Sequence, residues 1–167
     1  IKDLLDEAGL ETTIVASDPA RPNLIARLPG EGTAAPLLLQ GHVDVAPTTG
    51  QQWSHDPFDG TLADGWIWGR GALDMKGGVA MMVHAVLAAR ASELRPAGDS
   101  LLAVLSDEER GGEYGAGLLV ERRPDLLDGV RYCIGEFGGF STQIVGRRFY
   151  PIQVAEKQRV AIRATFR

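Results

Sequence analysis

Leu37-Leu38-Leu39-Gln40-Gly41-His42-Val43-Asp44 is an apolar run that ends on an imidazole and a carboxylate. Leu37 to Leu39 are continuously hydrophobic, which predicts a strand buried on both faces, as central parallel strands are. Ser100 to Leu105 and Arg131 to Ile134 also read as buried strands. Each is followed within a few residues by glutamate: Glu108 and Glu109 after the first, Glu136 after the second. Gly77 to Arg90, rich in Ala, Met, Val and Leu, reads as the clearest helix, and Gly115 to Arg122 as another. Strands alternating with helices predict an α/β layered fold. In open sheets of that kind, sites gather at the carboxyl ends of the strands. His42, Glu108 and Glu136, distant in sequence, are therefore expected to meet at one sheet edge.

On the N-terminal side, Ile1, Leu4, Leu5 and Ala8 recur at helical spacing, and Gly9 sits where a left-handed C-terminal cap belongs. Thr12 to Ala16 and Asn23 to Leu28 read as strands, separated by the Asp18-Pro19 and Arg21-Pro22 breakers. Thr61 to Trp68 reads as a strand pair turning at Asp64-Gly65. From Gln143 to Arg167 the chain is strand-rich, with Val160, Ile162 and Ala164 alternating against charged neighbours.

With 167 residues, 44% of them hydrophobic and 23% charged, the chain is long enough for one domain with a proper core. Its apolar stretches read as too short to span a bilayer, and no signal-peptide pattern opens it. A formal net charge of −5 without a basic run argues against nucleic acid as a partner. The single cysteine, Cys133, excludes an intramolecular disulfide and a CxxC site. Its place in the apolar run from Val130 to Ile134 predicts a buried structural thiol. A cytoplasmic location is expected.

Four pieces carry candidate chemistry. In His42-Val43-Asp44, residues two apart on a strand face the same side, so imidazole and carboxylate can be neighbours. A carboxylate on the far imidazole nitrogen fixes the tautomer and makes the other nitrogen a better donor; the bland alternative is a His and an Asp at a loop mouth. In Gly69-Arg70-Gly71-Ala72-Leu73-Asp74-Met75-Lys76-Gly77-Gly78, glycines on both sides of Asp74 let the backbone approach an ion closely. A phosphate loop is excluded because neither GK[ST] nor the GxGxxG register is present, while Asp74 could also be a helix N-cap. In Ser106-Asp107-Glu108-Glu109-Arg110-Gly111-Gly112, adjacent glutamates can diverge, one reaching a metal and the other a water on that metal. A solvated acidic turn is the alternative. In Ile134-Gly135-Glu136-Phe137-Gly138-Gly139, a carboxylate ending a buried strand needs a partner, and a metal is one. One imidazole with several carboxylates suits zinc, cobalt or manganese rather than calcium.

In order along the chain, LLLQGHVDVAP, WSHDPFDG, GWIWGRGALDMKGGVA, SDEERGGEYGA and IGEFGG resemble the M20 metallopeptidases, from about Leu37 to Gly139. That family includes dizinc carboxypeptidases, acetylornithine deacetylase, succinyl-diaminopimelate desuccinylase and aminoacylases. The resemblance implies a three-layer α/β fold with a mixed sheet and helices on both faces, here an incomplete zinc-peptidase-like catalytic domain. It further implies that His42 binds one metal and Asp44 orients it, and that Asp74 bridges both metals. Glu108 would be the general base, with Glu109 a ligand of one metal and Glu136 of the other. The Asp74–Met75 peptide would be cis.

The implied reaction is hydrolysis of an amide bond in a small peptide or N-acyl amino acid. The attacking water would be held by two divalent metals about 3.5–4 Å apart, most readily zinc, with cobalt or manganese as alternatives. Glu108 would take the water's proton and return it to the leaving amine. Members of the family are longer, with an inserted lid that commonly dimerises and a last metal-binding histidine near the C-terminus. The other two histidines here do not match that last ligand: His84 is expected to be packed on the Gly77–Arg90 helix or to sit at its edge, and His55 lies in a loop that resembles the one flanking the cleft. Trp53 and Phe137-Gly138-Gly139-Phe140 are candidates to line that cleft. Residues 1–167 thus resemble the N-terminal part of a catalytic domain, ending in a strand from Val160 to Arg167 that enters the lid. The complete protein would then be a homodimer. Two other readings stand beside this one: a non-catalytic truncated or metal-binding module, and a co-catalytic zinc aminopeptidase preferring a free α-amine.

Overall fold

The computed structural model describes residues 1–92, 95–136, 141–152, 155 and 164–165. The segment from Phe137 to Phe140 lies outside them, as does the expected strand over 160–167 apart from Ala164 and Thr165. Residues Ile1–Glu136 form one compact unit. It begins with α1 (Lys2–Glu7), β1 (Glu11–Val15), β2 (Asn23–Leu28) and β3 (Leu37–His42). A hairpin of β4 (Thr61–Ala63) and β5 (Trp66–Trp68) follows. The unit is completed by α2 (Gly77–Ala91), β6 (Ser100–Leu105), α3 (Ala116–Arg122) and β7 (Tyr132–Ile134). The described part of the second unit contains the antiparallel pair β8 (Thr142–Ile144) and β9 (Arg147–Phe149).

Five strands make one mixed sheet in the order β1-β2-β6-β3-β7. β2 runs antiparallel to β1 and β6, whereas β3 runs parallel to β6 and β7. The carboxyl ends of β3, β6 and β7 therefore share one edge. Side-chain alternation splits the core between two faces. Leu24, Ala26 and Leu28 of β2 and Leu102 and Val104 of β6 pack with Leu5 of α1 and Val79, Val83 and Val86 of α2. Ile25, Ala103 and Leu105 lie on the opposite face with Val15 and with Leu119 of α3. The result is a sheet with helices on both sides, the expected three layers. Each fully buried leucine of the set contributes roughly 1.5–3 kcal/mol.

The end of α1 follows from Gly9, which takes a φ of 72°. Leu10 N–H then bonds the Leu5 carbonyl at 3.0 Å and Gly9 N–H bonds the Asp6 carbonyl at 2.8 Å. This is a Schellman cap, and it needs a residue without a Cβ at that backbone angle.

Several sequence expectations need correction. β7 is not buried: Tyr132 is 66% and Ile134 53% exposed, and Cys133 is exposed with them. Its apolar composition suggested a central strand, but among the described residues β7 is the sheet's outer strand and pairs only with β3. Of its two expected places His84 does not take the packed one: it is exposed, next to Val83 but off the inward stripe of Val79, Val83 and Val86. The segment Ala72–Ala91 is long and apolar enough to match a membrane span by length and composition, contrary to the reading above. Asp74 and Met75 have non-helical dihedrals that break it, and Val79, Val83 and Val86 bury their side chains against the sheet.

The approach to β6 is held by Asp99, whose carboxylate accepts Gly30 N–H at 2.9 Å and pairs with Arg27. The Gly30 amide and the Arg27 guanidinium hold the Asp99 carboxyl below the usual carboxylate range. A depressed carboxyl stabilises the fold above its unfolded-state pKa, and that stability is lost as pH falls through the lower folded-state value. Asp99→Asn in the complete protein is expected to lose about 1 kcal/mol at neutral pH, a partly exposed pair being screened by solvent. The difference in Tm should begin to shrink as pH falls below about 4 and vanish only below the lower folded-state value. A Tm difference that persists unchanged at pH 2 would contradict this assignment.

Candidate metal centre

His42 closes β3 and is 2% exposed. The preceding Gly41 allows α2 and its lead-in to press against the strand. A Cβ there would stand 2.8 Å from Met75 Cε and 2.9 Å from Val79 Cγ2. The lead-in, Ala72–Lys76, is an irregular turn that follows Gly71 and puts alternate side chains in opposite directions. Leu73 is 92% exposed, Met75 is buried in the core, and Asp74 between them faces His42. The Asp74–Met75 peptide bond is cis, as the resemblance implied. Gly77 permits the turn to close, since a Cβ there would come within 2.6 Å of the Ala72 carbonyl oxygen.

Three sheet-edge segments converge on the imidazole. His42 Nε2 is 3.1 Å from Asp74 Oδ1, 3.7 Å from Glu108 Oε2 and 3.9 Å from Glu136 Oε2. His42, Asp74 and Glu136 each offer one donor atom, and these atoms lie within 4.8 Å of one another. On the far side of the ring, Nδ1 lies 2.9 Å from the Asp44 main-chain carbonyl oxygen. That contact places the proton on Nδ1 and leaves the Nε2 lone pair for a ligand. The Asp44 carboxylate was expected to orient the ring, but it is the more distant group, at 3.4 Å. Its oxygens instead accept Glu108 N–H at 3.1 Å and Glu109 N–H at 3.0 Å. Asp44 thus ties the loop after β6 to the end of β3. Glu109 is not one of the three grouped donors, and its Oε1 accepts Ala46 N–H at 3.0 Å.

Burial pulls the His42 pKa down, but the Asp44 carbonyl and the charges of Asp44, Glu108 and Asp74 outweigh it, and the net shift is upward. Burial raises the Glu136 carboxyl, and the neighbouring Asp74 charge raises it further. Two carboxylates crowding one imidazole repel each other, and a dication between them turns that repulsion into attraction. The donor set, one imidazole nitrogen with carboxylate oxygens, fits zinc, cobalt or manganese.

His55 is not among the grouped donors, and its ring is tilted by 55° against that of Trp68, ring centroids 5.0 Å apart. Trp53 carries the Arg70 guanidinium over its ring at 5.1 Å. Sequence reasoning passed over two fully buried polar residues, Asn23 and Asp107. The signal for Asn23 was an amide opening a strand whose other residues, Arg27 apart, are apolar. For Asp107 it was a third acid beside the glutamate pair.

A layered α/β domain with an imidazole and carboxylates at the carboxyl edge of its parallel strands has the donor chemistry of a divalent-metal site. Residues 38–158 match peptidase family M20/M25/M40, and the chain belongs to that family. It is 40% identical over 135 residues to a succinyl-diaminopimelate desuccinylase of Paracoccus denitrificans, covering 80% of this chain and 35% of that one. It is 35% identical over 166 residues to a succinyl-diaminopimelate desuccinylase of Cereibacter sphaeroides, covering 99% and 40%. Among solved structures, human carnosine dipeptidase 1 superposes with a TM-score of 0.67 at 29% identity, covering 80% of this chain and 30% of the other. The chain therefore spans 35–40% of the length of these two curated relatives.

Proposed function

We propose that the complete protein is a metal-dependent amide hydrolase and that residues 1–167 are the N-terminal part of its catalytic domain. Its substrates are N-acyl amino acids, with N-succinyl diamino acids first among them. The observation that carries the reading is the convergence of His42, Asp74 and Glu136 at one sheet edge with Glu108 beside them. The substrate class rests on the two desuccinylase relatives. Further domains, including a lid that dimerises, belong to the remainder of the protein.

Two divalent metals, zinc first, supply Lewis acidity when bound, acidifying a water and polarising the scissile carbonyl. His42 through Nε2, Asp74 and Glu136 would hold them, joined by Glu109 through the carboxylate oxygen that the Ala46 amide does not take. Asp44 fixes the loop that carries both glutamates. Glu108 moves the proton: its carboxylate is 53% exposed beside Nε2, and among the described residues no hydrogen bond occupies it. It accepts a proton from water and delivers it to the departing amine.

The test is a substrate panel on the zinc-loaded complete protein: N-succinyl-diaminopimelate, an N-acetyl amino acid, a dipeptide with a free α-amine and the same dipeptide blocked. Preferential release of succinate supports the reading. Turnover of the free-amine dipeptide alone would make the protein an aminopeptidase. Zinc loading without hydrolysis of any of the four would make it a binding module.

A further inference from the structure

Behind the cluster, two buried side chains with no place among its donors hold both ends of the loop that bears Glu108 and Glu109. Asn23 is 0% and Asp107 1% exposed. Asn23 Oδ1 accepts Ser106 N–H at 3.1 Å, where the loop leaves β6. Asn23 Nδ2 donates to the Tyr114 carbonyl at 2.7 Å, where the loop returns, and to the Val15 carbonyl at 3.0 Å on β1. One amide thus staples the two ends of a nine-residue excursion, Ser106 to Tyr114, to the first two strands of the sheet. Asp107 repeats the closure from within. Its carboxylate accepts Tyr114 N–H at 2.9 Å and pairs with the Arg21 guanidinium, and its carbonyl accepts Gly112 N–H at 2.8 Å. Arg21 in turn lies over the Tyr114 ring, 5.3 Å from its centroid.

Within this closed loop the amides of Glu108 and Glu109 point at Asp44, whose carbonyl holds His42. A buried amide with its carbonyl and both N–H positions engaged is costly to disturb, because each lost partner leaves a polar group dry. Burying a carboxylate demands a charge partner, and Arg21 supplies it. The polar pair is therefore spent on the register of one loop. A loop with only its own packing could shift by an ångström, which is enough to misplace a reacting group.

We propose that Asn23 and Asp107, with Arg21 as counter-charge, are positioning residues that set Glu108 and Glu109 against the metal cluster. This rests on the reading of the glutamate pair given above. The test uses the complete protein and compares Asp107→Asn, Asn23→Leu, Arg21→Gln and Arg21→Lys with Leu119→Ala, a core truncation on the same sheet face. Each variant is measured for kcat, KM, zinc affinity by calorimetry and Tm of the metal-free form. Asp107→Asn and Asn23→Leu are expected to lose about 10–100-fold in kcat or zinc affinity, the range for residues that orient metal ligands, with KM little changed. Arg21→Gln should lose about 10-fold and Arg21→Lys should restore part of it, since Lys keeps the charge but not the planar guanidinium over the Tyr114 ring. Leu119→Ala should lower Tm alone. If the Asn23 or Asp107 variants do not fold, the Arg21 pair decides, because its altered atoms are partly exposed. Native kcat and zinc affinity in Arg21→Gln, with only Tm moved as in Leu119→Ala, would overturn the proposal. A wild-type protein that neither binds zinc nor hydrolyses an amide would overturn the functional reading instead, so the two failures are distinguishable.

Discussion

Replacing Glu108 with Gln in the complete protein should lower kcat by about 10²–10⁴-fold while leaving bound zinc and KM close to native. Gln has nearly the same shape but cannot accept the proton, so the substitution removes one chemical capacity and little else. The loop is held through main-chain groups: Glu108 N–H still reaches Asp44 Oδ1, and Glu109 N–H still reaches Asp44 Oδ2. The carboxylate is half-exposed, so its neutralisation leaves no buried charge unpaired. A 10³-fold loss corresponds to about 4 kcal/mol of transition-state stabilisation. Single-turnover kinetics and metal analysis on the same sample separate the two effects. Near-native kcat would pass the proton-transfer role to another group, and loss of zinc would make Glu108 a ligand.

Asp74→Ala should act the other way, on binding before chemistry. Asp74 is the carboxylate nearest His42 Nε2, at 3.1 Å, and its side chain is 56% exposed. Truncating it therefore removes little packing, while Met75 still anchors the turn in the core. Zinc affinity should fall by more than the roughly 10–100-fold typical of outer-shell residues, with activity following. The metal-free protein should be no less stable and can gain, because the Asp74 charge is one of the causes that push Glu136 upward. The Glu136 carboxyl should accordingly return toward its usual range, which carboxyl-carbon NMR titration of the metal-free protein reads directly. Unchanged zinc affinity would remove Asp74 from the site.

How much of this was legible in the chain depends on which physical signal each part leaves. β6 was readable to the residue because Ser100–Leu105 is a central strand whose side chains must be apolar on both faces. α2 was readable within one residue for a similar reason. Parallel pairing of β3 with β6 and β7 then brings three strand ends to one edge, so the gathering of His42, Glu108 and Glu136 follows from alternation alone. β7 defeated the same rule. Its composition matches that of a central strand, but whether a neighbour lies beyond it is a property of the assembly, not of the Tyr-Cys-Ile triplet, and Cys133 was misplaced with it.

The finer geometry of the site was hidden for a different reason. His42-Val43-Asp44 places two side chains on one side of a strand, but the period-two rule cannot say whether carbonyl or carboxylate reaches the ring. That is decided by the loop after β6, whose two amides compete for the Asp44 oxygens. Asn23 and Asp107 left only a weak trace, because a buried polar residue is recognised by its partners, and Ser106 and Tyr114 for Asn23 and Arg21 for Asp107 lie more than eighty residues away.

The central claim is that these residues belong to a divalent-metal hydrolase centre. It is tested most directly by elemental analysis of the purified complete protein before and after chelation, with activity on an N-acyl amino acid followed in parallel. The account predicts two divalent ions per protomer, their removal together with the activity, and return of both on adding zinc. Full activity in a protein stripped of metal would contradict it.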